Sequence, residues 1–330
     1  MLVSEAGNVI DRIPLDVFWP LPCPLRHDGQ PRRTGVEIEF AGLDEGGAAA
    51  LVRRLWGGEG WHVGPRSLEV TGSRLGDVTV ELDTALSDKG AQGLVLAALG
   101  DLVPVEIVTP PLAPGDLPQA ERLVAALRAE GARGTRAATG YGFGLHLNPE
   151  VAAETAGHIV PVVRAFGLLD DWLRSFDPPD WTRLLLPFIK PWPRALVDRL
   201  AGEAAGWSLA ELTAAYLAHS PSRNRALDLL PLLEHLDPER VRAALPEGQA
   251  RGGRPTYHYR LPEARVDEAA WSVAYEWNRW VVVERVAARP ALLDALAEGW
   301  LAHRAALTTL RGDWAPVVEA LLSEGRIWED

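Results

Sequence analysis

The run Gly35-Val36-Glu37-Ile38-Glu39-Phe40 puts Val36, Ile38 and Phe40 on one side of an extended chain and Glu37 and Glu39 on the other. A period of two marks a strand with one buried face. The pattern recurs downstream. Val78, Val80 and Leu82 interleave with Thr79, Glu81 and Asp83. Val103, Val105 and Ile107 flank Glu106, while Phe143, Leu145 and Leu147 flank His146 and Asn148. A last strand is expected over 256–261, after the turn at Gly252-Gly253.

Helical periodicity fills the rest. Helices are expected at about 45–56 and, after Pro114-Gly115-Asp116, at about 116–130. Ile159, Val162, Phe166, Leu169 and Leu173 fall at i, i+3, i+7, i+10 and i+14, an apolar helix stripe. Further helices are expected at about 195–204, 208–218 and 222–235, with three more over about 267–323, divided near Pro290 and Gly312-Asp313. Residues 1–33 read as an irregular lead-in, broken by Pro14, Pro20, Pro22, Pro24 and Pro31. Too few strands follow residue 150 for a second sheet, so the last strand is expected to return to the first. The expectation is an α+β body: one domain over 34–330, a largely antiparallel sheet, a helical insertion at about 150–235 and a helical C-terminal region.

Composition narrows the function classes. The chain has 330 residues, 47% of them hydrophobic and 24% charged, an ordinary globular balance that excludes a disordered or low-complexity scaffold. With 33 basic against 45 acidic residues the net charge is −12, which argues against a nucleic-acid partner. Cys23 is the only cysteine, so no intramolecular disulfide and no multi-cysteine zinc site is available. The two lysines, Lys89 and Lys190, do not stand in a phosphate-loop motif. Glu5 and Asp11 break any signal-like start, and the apolar runs at 93–99 and 281–283 are too short to span a bilayer. A cytoplasmic location without a membrane partner is the expectation.

If the apolar residues of each strand face helices, the opposite face presents Glu37, Glu39, Glu81, Asp83, Glu106, His146, Asn148, His258 and Arg260. Singly these can be solvated residues of an exposed face. Together they carry a cost, because two unit charges ~4 Å apart repel by roughly 4 kcal/mol at an effective dielectric near 20. Such a face calls for water or cations, and oxygen-rich sets with an imidazole or two suit Mg²⁺ or Mn²⁺ better than zinc. Arg223-Asn224-Arg225, Arg251, Arg254 and Arg260 supply cations nearby. A polyphosphate fits a di-cation site flanked by arginines. The competing reading pairs Arg225 with Asp228 or Glu234 on its own helix and leaves Arg260 as an edge cap.

The segments GVEIEF (35–40), VEIVTPPL (105–112), GFGLHLN (142–148), SPSRNRALDLLP (220–231) and RPTYHYRLP (254–262), in that order, resemble the amidoligase family. That family belongs to the carboxylate–amine ligases that share the glutamine synthetase and glutamate–cysteine ligase fold, and the resemblance spans about 33–290. It implies that Glu37 and Glu39 bind different divalent ions, which in turn hold the phosphates of ATP. It implies further metal ligands at Glu106 and at Glu81 or Asp83, with Glu81 preferred, and a metal or phosphate contact at His146. Asn224 and Arg225 take the place of a phosphate-contacting loop. The last strand of such enzymes reads Glu-x-Arg; here it is His258-Tyr259-Arg260, so an imidazole replaces a carboxylate ligand while Arg260 keeps the phosphate role.

The implied activity is ATP- and Mg²⁺- (or Mn²⁺-) dependent joining of a small-molecule or peptide carboxylate to an amine through an acyl phosphate, with Arg225 and Arg260 as catalytic residues. Oligomers occur in the superfamily and are left open. The competing functions are a non-catalytic nucleotide- or peptide-binding relative with a degenerate metal site, and a metal-dependent hydrolase. Glu276, Asn278 and Glu284 are weak candidates for the general base. Trp271, Trp277 and Trp280 on the same helix are expected in the core. Gly140, Gly142 and Gly144 precede no helix and so do not make a phosphate loop; they let a backbone or ligand approach the sheet.

Overall fold

In the computed structural model, which describes residues 12–64, 66–82, 104–185, 187–246, 252–306 and 309–328, the alternating segments become strands of one sheet. β1 (Thr34–Phe40), β2 (Glu59–Gly64), β3 (Ser67–Ser73), β4 (Gly76–Leu82), β5 (Val105–Val108), β6 (Leu145–Pro149), β7 (Leu227–Asp228) and β8 (His258–Tyr259) are ordered β2-β3-β4-β5-β1-β6-β8-β7. Every pairing between neighbours is antiparallel. The last strand returns to the first sheet by pairing with β6, placing Tyr259 opposite Leu147.

One face of this sheet is apolar and covered. Val36, Ile38, Phe40, Val78, Val80, Ile107, Leu145 and Leu147 are fully buried. Full burial of such side chains contributes roughly 1.5–3 kcal/mol each. α1 (Glu45–Trp56) packs on β3 and β4, and α2 (Pro118–Ala129) packs on α1. α1 starts where Asp44 accepts the Gly47 N–H at 2.7 Å and ends at Gly57, whose φ of 78° is left-handed. Under β8, Tyr259 packs on Phe166 of α3 (Ala156–Phe176) and on Trp280 of α9 (Val273–Ala287). α5 (Arg194–Gly202), α10 (Pro290–Ala305) and α11 (Trp314–Glu324) pack against α3. Among the described residues no helix is long and apolar enough to cross a membrane.

Several elements differ from the sequence expectation. The helix expected over 222–235 is confined to α7 (Leu230–Leu236), and β7 precedes it. Asp228 turns the chain inward: it is fully buried and accepts the Leu230 N–H at 3.0 Å, and Pro231 lies in the first turn of the helix that follows. The last strand is only two residues long, continued by a single bridge between Glu150 and Thr256. Strands β2 and β3 lie outside those expected. β2 is exposed along its length, so no buried face imprints a period of two on it. α4 (Trp181–Leu185), within a proline-rich stretch, and α8 (Pro238–Ala244) are additional helices, joining α6 (Leu209–His219) in the insertion. Asp83, Val103 and Arg251 lie outside the described residues.

The lead-in from residue 12 is irregular, as expected, and is tied to α9. Asn278 accepts the Trp19 N–H at 2.8 Å and donates to the Val17 carbonyl at 2.7 Å. Arg32 makes a two-pronged contact with Glu284, at 2.7 Å on each arm.

Candidate active site

Strand register assembles the polar face. Glu106 of β5 stands between Glu81 of β4 and Glu39 of β1, each directly opposite it in its ladder. In the adjoining row Glu37 faces Val108 on one side and His146 on the other. β8 adds His258 beside this row. The result is a cavity of about 390 Å³ whose lining includes Glu37, Glu81, Glu106, Asn148, His258 and Arg223, with Arg254 also on its wall. Glu39 and His146 lie off this lining and join it through their neighbours.

Two clusters of ligand atoms form here, Glu37–His146–His258 and Glu39–Glu106–His146, each with its atoms within 4.8 Å of one another. His146 belongs to both. Its Nδ1 is 2.8 Å from Glu37 Oε2 and 4.0 Å from Glu106 Oε1, and its Nε2 is 3.6 Å from Glu39 Oε1. Asn148 donates to Glu37 Oε1 at 2.8 Å, and the Gly144 N–H donates to Glu39 Oε2 at 2.7 Å.

Protonation follows from this packing. Burial, with Arg260 adding to it, presses His146 down to about 3, so the ring is neutral at pH 7. Burial pushes Glu37 up, but the imidazoles of His146 and His258 outweigh it and hold the carboxyl well below its usual range. Glu37 is therefore an ionised acceptor and His146 a neutral donor through Nδ1. An ionised Glu37 beside a neutral His146 leaves negative charge in a partly enclosed space. The donor set of oxygens with one or two nitrogens fits a divalent cation. A further sign is His258 Nε2, which is buried and has no hydrogen-bond partner.

The arginines are arranged differently from the sequence expectation. Arg225 donates to the Pro191 carbonyl at 2.9 Å and is bridged through its backbone to Lys190, so its guanidinium is directed at Pro191. Arg225 and Asn224 are not among the residues lining the cavity. Because residues 220–226 are loop and not helix, Arg223 faces the cavity in their place, with its Nε 3.0 Å from Asp228 Oδ2. Arg260 donates to the Arg223 carbonyl at 3.1 Å, and its buried Nε has no hydrogen-bond partner. Arg254 reaches the wall with no side-chain partner among the described residues.

Residues 30–282 match the family described as "Putative amidoligase enzyme". The chain belongs to this amidoligase family. No curated protein and no solved structure matches it. Family membership gives a ligase-type enzyme as the class of activity and agrees with the resemblance read from the five segments.

The candidate site of this amidoligase also contains residues that no motif indicated. Arg183 of α4 is buried and donates to the carbonyls of Gly142 at 3.0 Å and Arg260 at 2.6 Å. Burial pulls its pKa down, while Glu39 and Glu263 work against that pull. Asp228, fully buried, joins Arg223 to His258. Arg183 sits in a proline-broken stretch without periodicity, and Asp228 in a leucine run that suits a helix, so neither carried a signal. The weak candidates for a general base are occupied elsewhere. Glu276 pairs with Arg279 at 2.7 Å, Glu284 with Arg32, and Asn278 with the lead-in. Trp271, Trp277 and Trp280 are core residues, at 3% exposure or less.

Gly144 explains the glycine of GFGLH. A Cβ at that position would stand 2.6 Å from His146 Nε2 and 3.1 Å from both terminal nitrogens of Arg183. The imidazole is held on its other side by Glu37, so it cannot simply swing away. Gly144→Ala is expected to weaken divalent-ion binding by about tenfold or more, the scale on which disturbed ligand orientation acts, with the circular-dichroism spectrum unchanged. Isothermal titration with Mn²⁺ checks this, and wild-type affinity in the variant would contradict the assigned role of His146.

Proposed function

We propose that this chain is an ATP-dependent carboxylate–amine ligase of the glutamine synthetase-like fold, forming an amide or peptide bond through an acyl phosphate. The observation that carries the reading is the convergence of Glu37, Glu39, Glu106, His146 and His258, from four strands, beside a cavity walled by Arg223 and Arg254. Family membership points the same way. Glu37 and His258 would hold one divalent ion and Glu39 and Glu106 a second, with His146 in reach of both and Glu81 beside the latter; Mg²⁺ or Mn²⁺ suits these donors. When bound, such ions neutralise the triphosphate and the phosphoryl group in transfer.

The residues of the chain supply the rest. Arg223 and Arg254 offer hydrogen bonds to phosphate oxygens from the cavity wall, and Arg260, which is not among the lining residues, adds its charge from behind Arg223 by donating to the Arg223 carbonyl. A substrate carboxylate oxygen attacks the γ-phosphorus, the bond to the β,γ-bridging oxygen breaks, and ADP leaves with that electron pair. The amine nitrogen then attacks the acyl carbon, the carbon–oxygen bond to phosphate breaks with its electron pair going to the phosphate oxygen, and the departing phosphate takes up the proton that the nitrogen loses. The sheet floor excludes water from one side, which protects an acyl phosphate from hydrolysis. Small-molecule or peptide carboxylates and amines are the proposed substrates, and a cytoplasmic location is part of the same proposal.

The test is ADP release with a panel of amino acids and short peptides, alone and in pairs. Amine-dependent ADP formation with a new amide in the mass spectrum is the expected result. Tight ATP binding without turnover across the panel would mark a binding relative, and peptide cleavage without ATP a hydrolase; either outcome overturns the ligase reading.

A further inference from the structure

His258 replaces the carboxylate of the Glu-x-Arg pattern, and its surroundings show how it is held. The residue is 9% exposed, and its Nδ1 lies 3.4 Å from Asp228 Oδ2. Asp228 is fully buried; one oxygen accepts from Leu230 N–H at 3.0 Å and the other from Arg223 Nε at 3.0 Å. A carboxylate bound in this way only accepts, so the imidazole hydrogen sits on Nδ1 and the lone pair on Nε2. That Nε2 is buried without a hydrogen-bond partner and faces Glu37, whose Oε2 is 3.8 Å away.

The spacing is too long for a hydrogen bond. It does suit two ligands of one ion, which stand roughly 3–4 Å apart when each is about 2.1 Å from the metal. His146 belongs to both ligand groups, with its Nδ1 2.8 Å from Glu37 and its Nε2 3.6 Å from Glu39. His258 belongs to the Glu37 group alone, so its nitrogen sets that ion apart from the one proposed at Glu39 and Glu106.

We propose that Asp228 is a positioning residue that presents His258 Nε2 as a metal ligand, and that the ion held by Glu37 and His258 is a first-row transition ion, Mn²⁺ in preference to Mg²⁺. Imidazole nitrogen favours such ions, whereas Mg²⁺ keeps to oxygen and water. A carboxylate behind a ligating histidine fixes its tautomer and raises its basicity, and its loss costs about 10–100-fold in metal affinity. The inference rests on the reading of Glu37 as an ion ligand.

The experiment uses the full chain without nucleotide. Mn²⁺ binding is followed by electron paramagnetic resonance under competition with MgCl₂, and bound Mn²⁺ is probed for nitrogen coupling by spin-echo modulation. In the wild type, Mn²⁺ is expected to persist against about a tenfold excess of Mg²⁺ and to show imidazole nitrogen coupling, in keeping with the ligand preference. His258→Gln should lose part of that coupling and bind Mn²⁺ about tenfold more weakly, and Asp228→Asn about 10–100-fold more weakly. His258→Glu should still bind Mn²⁺ but release it readily to Mg²⁺.

Equal displacement by Mg²⁺ in wild type and His258→Glu, or unchanged coupling in His258→Gln, overturns the proposal. So does unchanged affinity in Asp228→Asn. If Asp228→Asn does not fold, the two His258 variants decide the ion preference and with it the proposal. Absence of any Mn²⁺ binding in the wild type would remove the ion site itself and the ligase reading with it. Binding without preference would remove only the inference.

Discussion

Glu39→Gln is expected to abolish metal-dependent ATP binding while leaving the fold intact. Glu39 is 8% exposed; one oxygen accepts the Gly144 N–H at 2.7 Å and the other lies 3.6 Å from His146 Nε2. The amide keeps an oxygen for Gly144, so no buried donor is orphaned and the cost of about 1–3 kcal/mol for an unsatisfied group is avoided. What disappears is one negative charge from a cluster of two carboxylates and an imidazole. The ion affinity should fall by on the order of 100-fold, about 2.7 kcal/mol. Since the acidic face repels a triphosphate unless cations intervene, nucleotide binding should fall with it. Calorimetric titration of ATP with and without Mn²⁺ reads the effect, and equal nucleotide affinity in variant and wild type would refute the assignment of Glu39. Glu39→Ala should give the same loss of binding, with some stability lost as well because Gly144 then lacks an acceptor.

The largest effect on stability is expected at Arg32 and Glu284. These residues are 1% and 3% exposed, with two contacts of 2.7 Å between them. Arg32 also donates to the carbonyls of Glu150 at 2.6 Å and Cys23 at 3.0 Å, and Glu284 accepts from Trp280 Nε1 at 2.9 Å. Burial alone would pull the Arg32 pKa down, but Glu284 reverses the direction and keeps it charged. Arg32→Met leaves a carboxylate buried without its partner and should cost about 3–5 kcal/mol in urea unfolding. Arg32→Met combined with Glu284→Leu should recover much of that loss, because two apolar side chains of similar size need no counter-charge. A double variant as unstable as the sum of the singles would show that the pair is not coupled.

What the sequence made legible follows from which faces are buried. β1 and β4 each bury one side fully, and that contrast is the period-two signal; their register then fixes Glu37, Glu39, Glu81 and Glu106 on one face. The stripe of α3 and the three C-terminal helices were legible for the same reason at a different period. β2, exposed on both sides, leaves no trace. The stretch Ala226-Leu227-Asp228-Leu229-Leu230 has the leucines of a helix, and only the inward turn of Asp228 makes it a strand end. Asn224 and Arg225 were expected from the Asn-Arg segment of the family resemblance, whereas in the structure Arg223 lines the cavity and Arg225 donates to the Pro191 carbonyl. Arg183 was illegible because its partners are backbone carbonyls, which no side-chain pattern encodes.

The alternation in β1 has a bearing on how such a chain tolerates change. Ile38 lies between Glu37 and Glu39 in sequence and is fully buried on the opposite side, so the oily underside and the charged upper surface share one backbone. Close packing allows little slack, and a lost methylene is felt by its neighbours. Apolar drift beneath the sheet would therefore move the carboxylate oxygens of the upper surface by fractions of an ångström long before it melted the molecule, and lineages could adjust the spacing of Glu37 and Glu39 through residues that never meet solvent.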